Sequence, residues 1–346
     1  MLTRLRVIRI ADKVYSLAYT GARLIFAVVE TVDCHSEAIY LATISRINHQ
    51  SRSAFITYGA GLSGFVNLPT GLNLQEGSSL RVQMVWCGDE QKQPKFRSDW
   101  QLVGKYLVYT PGNPKLKSSG LSKELSLVLE AAAQEYPGNW VVRSCVKFMQ
   151  QIPLVIAEMK LLHAQGQAII GGQNLGGTPG YLRILRSLTL TPDCEIITND
   201  RQIDQQLLSY QDLWQIDAIT YNPTLDAAVA VAEFESLASS SNYQLDNGGN
   251  LEIYTVGGIN LIDVNSGRVV LSHDKLNFAM LDEIYRQICI RNLQGIILLD
   301  LLKNQSPAAQ ERVIDYLKKL FKCDITNTRV LGFSHSGLCE LIRNRF

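Results

Sequence analysis

The stretch Leu261-Ile-Asp-Val-Asn-Ser-Gly-Arg268 decides how the chain is interpreted. It follows an apolar segment, Leu251 to Ile262, that is predicted to form one strand. Residues two apart in an extended chain point to the same side, so Asp263 and Asn265 are expected to share one surface. A Ser-Gly turn and the cation Arg268 follow. The stretch therefore predicts a strand end that presents a carboxylate and an amide together.

A second apolar segment, Gly295-Ile-Ile-Leu-Leu-Asp300, also ends a predicted strand on a carboxylate. Two carboxylates at the ends of neighbouring strands form an oxygen-ligand site suited to a hard cation such as Mg²⁺. The spacing alone favours a plainer interpretation, in which Asp263 and Asp300 each cap a helix or begin a turn. The motif by itself leaves both interpretations open.

Composition bounds the class of protein. The chain has 346 residues, 46% of them hydrophobic, with a formal net charge of +1. That length predicts about two to four domains, and the charge gives no global field directed at nucleic acid. Seven cysteines without a closely spaced pair, and no secretory leader, predict reduced thiols in a cytoplasmic protein. The longest apolar run, Leu24 to Val29, is too short to span a bilayer, so no membrane association is expected.

Short strands between residues 38 and 110 have the spacing of a small barrel. Phe55 and Phe65 lie in segments that put both rings on one barrel face, where aromatic side chains stack on unpaired bases. Filling the barrel core is the favoured alternative for these rings. Lys92 and Lys95 lie in a following segment that either tracks phosphates or forms a solvated loop.

The middle of the chain contains one candidate for phosphate binding. Arg143 and Ser144 lie at the end of a predicted strand, Trp140 to Cys145, and an arginine beside a hydroxyl can bind a phosphate. A surface ion pair is the alternative. The glycine-rich segment Gly171 to Gly180 lacks the GxGxxG pattern, so we reject a nucleotide-binding loop there.

Helical periodicity and capping residues predict several helices. Ser122 and Ser306 are predicted N-caps, and Pro307 suits a first helical position. Further predicted helices include Gln202 to Leu213 and a short terminal helix from Gly337 to Arg345. The order of elements predicts a mixed α/β protein with an inserted barrel.

The chain resembles the ribonuclease E/G family in three downstream stretches: GGNLEIYTVGGINLIDVNSGR at 248–268, the segment 277–300, and VLGFSHSGLCELIRNR at 330–345. Upstream, Ala54-Phe-Ile-Thr-Tyr-Gly59 and Gly104-Lys-Tyr-Leu-Val108 are similar to family segments. The resemblance implies an RNase H-like subdomain at 1–35 and 191–247, an OB-type RNA-binding barrel at 36–108, a 5′-sensor-like subdomain at 109–190 and a DNase I-like catalytic subdomain at 248–346.

The resemblance also implies a metal-dependent endoribonuclease that cleaves single-stranded RNA. It implies Mg²⁺, with Mn²⁺ as the alternative ion, on Asp263 and Asp300, with Asn265 completing the catalytic set. The further residues that it implies are Phe55, Phe65, Lys92 (with Lys95 as the alternative alignment) and Arg268 for RNA binding, and Arg143, Ser144 and His335 for sensing a 5′ phosphate.

Three departures from the family pattern qualify this expectation. His335 stands where an arginine is usual, and Lys303 replaces an acidic residue. The sequence given ends at Phe346 without the family's zinc link and small domain, so no zinc-bridged dimer is expected, while other oligomers remain open. These departures support a second hypothesis, that the chain is a catalytically weak or inactive RNA-binding protein of the same family.

Overall fold

The computed structural model describes residues 1–32, 36–69, 74–88, 92–245, 248–267, 272–303, 306–322 and 324–344. The chain divides into two units. The first comprises Met1–Glu30, Ser187–Gln205 and Asp217–Phe346, and the second comprises Thr31–Arg186 and Gln206–Ile216. Across the described ranges, no helix combines the length and apolar character that a membrane crossing requires.

The secondary structure alternates between strand-rich and helix-rich segments. The strands are β1 (Leu2–Ile10), β2 (Lys13–Thr20), β3 (Arg23–Thr31), β4 (Ile39–Asn48), β5 (Ser53–Tyr58), β6 (Leu62–Asn67), β7 (Ser79–Trp86), β8 (Lys95–Arg97), β9 (Leu102–Val103), β10 (Leu107–Thr110), β11 (Lys115–Lys117), β12 (Asn139–Val142), β13 (Leu190–Thr198), β14 (Ala218–Tyr221), β15 (Asn242–Gln244), β16 (Asn250–Val256), β17 (Ile259–Asn265), β18 (Gly295–Asp300), β19 (Thr328–Phe333) and β20 (Cys339–Arg343). The helices are α1 (Lys123–Glu135), α2 (Ile152–Ile170), α3 (Gly180–Ser187), α4 (Arg201–Leu208), α5 (Gln211–Trp214), α6 (Ala227–Ser239), α7 (His273–Ile290) and α8 (Pro307–Phe321), and a 3₁₀ turn at Met149–Gln151 precedes α2.

The first unit contains two sheets. One is five-stranded, in the order β14-β13-β1-β2-β3, and α6 packs on it through Ala230, Val231 and Phe234. The other is six-stranded, in the order β15-β16-β17-β18-β20-β19. Its apolar face packs against α7 and α8, where Met280 and Leu317 are fully buried. One face of the six-stranded sheet is therefore the core, and the candidate site must lie on its other face.

The second unit contains a closed barrel and a four-stranded sheet. The barrel order is β4-β5-β6-β8-β7, and the sheet order is β11-β12-β10-β9. Side chains that alternate along the barrel strands fill its interior, among them Ile44, Ile56, Val66, Val82 and Phe96. The predicted mixed α/β class with an inserted barrel is confirmed, and the structure shows that the barrel has five strands.

The predicted single strand from Leu251 to Ile262 is wrong. The segment is a hairpin of β16 and β17, in which Gly257 and Gly258 turn the chain with φ of 59° and 86°. Glycine takes positive φ at both positions of a two-residue hairpin turn without steric cost. The run looked continuous because both strands are apolar on the face that packs on the helices.

Two helix predictions are also corrected. The segment predicted as a terminal helix contains β20, which pairs antiparallel with both β18 and β19. Burial alternates along β20, with Cys339, Leu341 and Arg343 buried, as expected for a strand inside a sheet. The predicted helix Gln202 to Leu213 is two helices, α4 and α5, separated near Ser209.

Local capping predictions are confirmed. The Ser122 side chain accepts a hydrogen bond from the backbone of Leu125 at the start of α1. Ser306 caps α8 in the same way, with Pro307 at the first position. The expectation of fully reduced thiols is wrong at Cys87, which is disulfide-bonded.

Candidate functional site

Asp263 and Asp300 lie directly beside each other in the six-stranded sheet. Strands β17 and β18 run parallel, and the two aspartates are partners in their register. Neighbouring strands are about 4.8 Å apart, so two carboxylates at partnered positions can bind one cation. Asp263 is half-buried and Asp300 is exposed. The structure therefore brings the predicted pair together on an accessible surface.

Alternation along the strands determines which face carries the pair. Ile262 and Val264 point into the core against the helices, so Asp263 and Asn265 point to the opposite face. Leu299 is likewise buried next to Asp300. The apolar positions thus fix the orientation of the polar ones.

Asn265 orients Asp263. Its Nδ2 donates a hydrogen bond to Asp263 Oδ2 at 3.1 Å. Among the described residues, no backbone N–H donates to the carboxylate of Asp263 or Asp300, although a cap or turn role would require such a bond. The plainer interpretation of the two aspartates as capping residues therefore has no support in the geometry.

Two residues close to the pair, Glu252 and Tyr254, were not predicted from the sequence. Glu252 on β16 is the register partner of Asp263, so Glu252, Asp263 and Asp300 form one row across three strands. The Tyr254 hydroxyl donates to Glu252 Oε2 at 2.5 Å, and this bond is the main reason that the pKa of Tyr254 lies above its ordinary value. The glycine pair at the hairpin turn could have predicted that Glu252 lies opposite Asp263, because the two residues are equally distant from the turn.

The donor set fits a hard divalent cation. Asp263 and Asp300 offer carboxylate oxygens, the amide of Asn265 adds a further oxygen, and such cations prefer oxygen ligands. Within the described parts of the chain, no ion pair neutralises Asp263, Asp300 or Glu252, so a bound cation would relieve the repulsion along the row.

The site is limited to this small set. No cluster of three or more histidine, cysteine, aspartate or glutamate side chains suits a metal ion in the ranges that the structure describes. Lys303 is exposed three residues beyond Asp300 and forms no ion pair with any described residue. Arg268 lies outside the described residues.

Phe55 and Phe65 form a second candidate surface, on the outside of the barrel. They are register partners on β5 and β6, and their ring centroids lie 6.0 Å apart in a T-shaped arrangement. Phe55 is 45% exposed, and its neighbours Ala54 and Ile56 are the ones that fill the interior. The alternative that these rings form the barrel core is therefore wrong.

Cations flank the two rings. Lys95 is exposed and is the register partner of Phe65 on one side, while Arg46 is exposed and partners Phe55 on the other. Trp86 is the next partner beyond Lys95. We call Arg46, Phe55, Phe65, Lys95 and Trp86 the barrel row. Cations interleaved with aromatic rings are typical of surfaces that bind single-stranded nucleic acid.

The row also bears on the two lysines proposed from the sequence. Lys95 belongs to it by register, whereas Lys92 is exposed in the segment that leads into β8. Sequence reasoning missed Arg46 and Trp86, because each is aligned with the row through a bulge that shifts the strand register. Such shifts depend on pairing between strands and leave little trace in composition.

Arg143 immediately follows β12 and is anchored by backbone carbonyls. Its Nη1 donates to the carbonyls of Gly104 at 2.6 Å, Arg186 at 2.9 Å and Lys105 at 3.3 Å. Burial, and then the nearby Arg186 guanidinium, lower the pKa of Arg143. Within the described residues Arg143 forms no ion pair, and no hydrogen bond engages its Nε or Nη2. One edge of the guanidinium is therefore held and the other is left for an anion.

The remaining predicted phosphate ligands are divided between the units. Ser144 is exposed next to Arg143 in the second unit. His335 is exposed in the turn between β19 and β20, in the first unit. Neither unit by itself contains the complete predicted set.

Comparison with known proteins supports one family. A model of the Ribonuclease E/G family matches residues 101–346. Ribonuclease G of Escherichia coli (strain K12) is 23% identical, over 79% of this chain and 60% of the relative. Ribonuclease E of Buchnera aphidicola is 22% identical, over 89% of this chain and 39% of the relative. A ribonuclease E/G-like protein of Pyropia yezoensis is 24% identical, over 89% and 68%. The chain thus spans about 60% of the length of the ribonuclease G that it matches.

Proposed function

The chain belongs to the ribonuclease E/G family, and from this premise we propose that it is a metal-dependent endoribonuclease that cleaves single-stranded RNA. The direct register of Asp263 with Asp300 on an accessible sheet face is the observation that carries the proposal. Relatives named ribonuclease G and ribonuclease E support it.

Asp263 and Asp300 would hold the ion, Mg²⁺ or alternatively Mn²⁺. Such an ion, when bound, lowers the pKa of a water molecule and neutralises charge on the phosphoryl oxygens. Asn265 restrains one oxygen of Asp263 through its Nδ2 and leaves its own amide oxygen as a further ligand. The exposed side of Asp300 leaves room for a phosphodiester to approach.

The barrel row would select unpaired RNA. Base faces are accessible only when the strand is unpaired, and Phe55 presents its ring to solvent. Arg46 and Lys95 would contact phosphates on either side of the stacked bases. Lys92 and Arg268 remain proposed RNA contacts from the family resemblance.

Arg143 and Ser144 are proposed to bind a 5′ phosphate. The three carbonyl contacts fix the guanidinium of Arg143, and its free edge can pair with two phosphate oxygens. His335 is proposed to take the place of the family's arginine.

The four subdomains at 1–35 with 191–247, 36–108, 109–190 and 248–346 stay predictions, as does the cytoplasmic location. RNA is the proposed partner.

The test removes the two carboxylates without changing side-chain size. The double variant Asp263→Asn/Asp300→Asn should lose cleavage of a labelled single-stranded oligoribonucleotide by about 10²–10⁴-fold, since a metal contributes several kcal/mol to such reactions. Binding of the same oligonucleotide in chelator should stay unchanged. Asp315→Asn is the matched control, because Asp315 lies exposed on α8 in the same unit, with only a 3.9 Å contact to Lys318. Undiminished cleavage by the double variant would refute the proposal.

One observation favours a second candidate function, an RNA-binding protein without cleavage. The barrel row is complete regardless of the metal site, and the exposed Lys303 adds a positive charge to the segment that follows Asp300. RNA binding in chelator, with no product in either Mg²⁺ or Mn²⁺, would establish this function instead.

A further inference from the structure

The second unit contains a cavity that neither the metal site nor the barrel row uses. Its volume is about 260 Å³, and α2, α3, α5 and the glycine-rich segment 175–179 contribute to its walls. A cavity of this size can admit a single ring system. Its lining combines leucines with a few fixed polar groups, the usual composition of a small-molecule site.

One fixed group is a buried carboxylate. Glu158 is 1% exposed, and each of its oxygens accepts two hydrogen bonds. Oε1 accepts from the Lys105 backbone at 2.7 Å and from Trp214 Nε1 at 3.1 Å, and Oε2 accepts from the backbones of Tyr106 at 2.7 Å and Leu107 at 2.9 Å. Protein donors already occupy both oxygens of Glu158, so the carboxylate does not need a cation as a partner. Its negative charge disfavours an anionic ligand.

Arg186 brings a positive charge to the cavity wall, and the carboxylate of Glu37 compensates it. Arg186 is 8% exposed, pairs with Glu37 through Nη1 and Nη2, and donates to the Val103 carbonyl at 2.8 Å. Its Nε is a buried donor without an acceptor among the described residues. Buried donors normally have a partner, so this one suggests a ligand that supplies an acceptor oxygen or nitrogen.

The remaining walls suit a flat ligand. The rings of Tyr210 and Trp214 stack with centroids 4.3 Å apart at 28°, and a further ring can extend such a stack. Gln165 and Gln206 line the same cavity, and Gln206 accepts from the hydroxyl of Tyr181. A primary amide offers one acceptor and two donors, which match the edge of a nucleobase.

The glycine-rich segment leaves the cavity open. It is fastened to the barrel by paired backbone bonds between Ile39 and Leu175, at 2.8 and 3.0 Å, and by Thr178 N–H to Ser36 O at 3.0 Å. A Cβ built on Gly176 meets no atom within 4 Å. Gly176 therefore contributes backbone to the lining of the cavity, and a side chain at this position would meet open space.

From these features we infer that the cavity binds a nucleobase, presented either by a free nucleoside or by an unpaired residue of RNA. The base is neutral, as the two compensated charges require, and it carries the acceptor that Arg186 Nε lacks. Its plane matches the stacked aromatic wall. The site is independent of the proposed cleavage, because no residue of the metal pair or the barrel row lines it.

The test uses the full chain, titrated with uridine, cytidine, adenosine and guanosine and followed by calorimetry and by protein NMR. At least one nucleoside should bind saturably, with a Kd of about 1 mM or tighter. Gly176→Leu, which adds a bulky side chain to the lining of the cavity, should weaken that binding at least about tenfold. Gln165→Leu should weaken it without filling the space, and Gln167→Leu, an exposed neighbour on α2, is the matched control.

An oligoribonucleotide without a 5′ phosphate, titrated in chelator, distinguishes the two sources of the base. Weaker oligonucleotide binding by Gly176→Leu assigns the site to an RNA residue. Loss of nucleoside binding alone assigns it to a free nucleoside. The inference fails if no nucleoside binds, or if Gln165→Leu and Gly176→Leu both bind as the unaltered chain does. Either result leaves the proposed cleavage untouched, because that proposal has its own test at Asp263 and Asp300.

Discussion

Phe55→Ala is expected to weaken the binding of single-stranded RNA about tenfold while leaving the salt dependence of binding unchanged. The ring lies on the outer face of the barrel, 45% exposed, with its centroid 6.0 Å from that of Phe65. A base that stacks on an aromatic ring contributes about 1–3 kcal/mol, which corresponds to roughly 5–150-fold in affinity. Stacking involves no phosphate, so the slope of affinity against salt should not change.

The same structure limits the damage to the fold. A phenylalanine side chain presents about 200 Å², so a little over half of it is covered, or roughly 110 Å². At about 25 cal/mol per Å², removing the ring costs less than about 2.8 kcal/mol of stability, because alanine retains part of the contact. The RNA effect can therefore be measured on a folded protein.

The assay is fluorescence anisotropy of a labelled oligouridylate in chelator at several salt concentrations, so that no cleavage intervenes. Leu41→Ala is the control, because Leu41 is 49% exposed on β4 of the same barrel and lies outside the barrel row. Lys95→Ala gives the contrasting result, a slope reduced by about 0.7 for the lost phosphate contact. Binding by Phe55→Ala as tight as that of the unaltered chain would refute the stacking role, and a reduced slope would show an electrostatic one.

Three further predictions concern stability and pH. Asp324→Asn leaves the fully buried Arg343 guanidinium unpaired, and the free energy of unfolding should fall by about 3–5 kcal/mol in urea titration; a loss under 1 kcal/mol, as for an exposed pair, would contradict this. Gly258→Ala forces a side chain into φ of 86° at the hairpin turn, and a cost of about 1–2 kcal/mol is expected in the same measurement, whereas an unchanged midpoint would argue against backbone strain there. Burial opposes ionisation of Glu37, but its ion pair with Arg186 prevails and lowers the pKa below 4.5. The pair therefore stabilises the fold above about pH 4.5 and loses this effect as pH falls through the lowered pKa, so Glu37→Gln should flatten the acid limb of a stability-against-pH curve. An acid limb unchanged by Glu37→Gln would assign it to other groups.

The sequence predicted the structural features that depend only on residues a few positions apart in the chain. The caps at Ser122 and Ser306 are where they were expected, because a cap bonds to the first turn of its own helix. The barrel strands were foreseen from alternation and turn residues. The errors occurred where one pattern is compatible with two structures. Gly337 to Arg345 has spacing that suits a helix, yet pairing with β18 and β19 makes its core a strand.

The candidate site shows the same division. Asp263, Asn265 and Asp300 were named from their positions at strand ends, and Phe55 and Phe65 from a barrel pattern. A single strand over this segment cannot place Glu252 opposite Asp263, because only the hairpin brings the two residues together. Arg46 and Trp86 were missed because bulges align them with the rings.

Sequence alone therefore determined the family, the fold class, and which side chains are polar at the ends of apolar strands. Only the tertiary structure decided that Asp263 and Asp300 are register partners with Glu252 in the same row, and that Phe55 and Phe65 face outward. The physical reason is the range of the interactions involved. Capping and alternation act within a few residues of the chain, whereas register depends on pairing between segments that lie far apart in sequence. The carboxylates of Asp263 and Asp300 lie side by side because of that pairing.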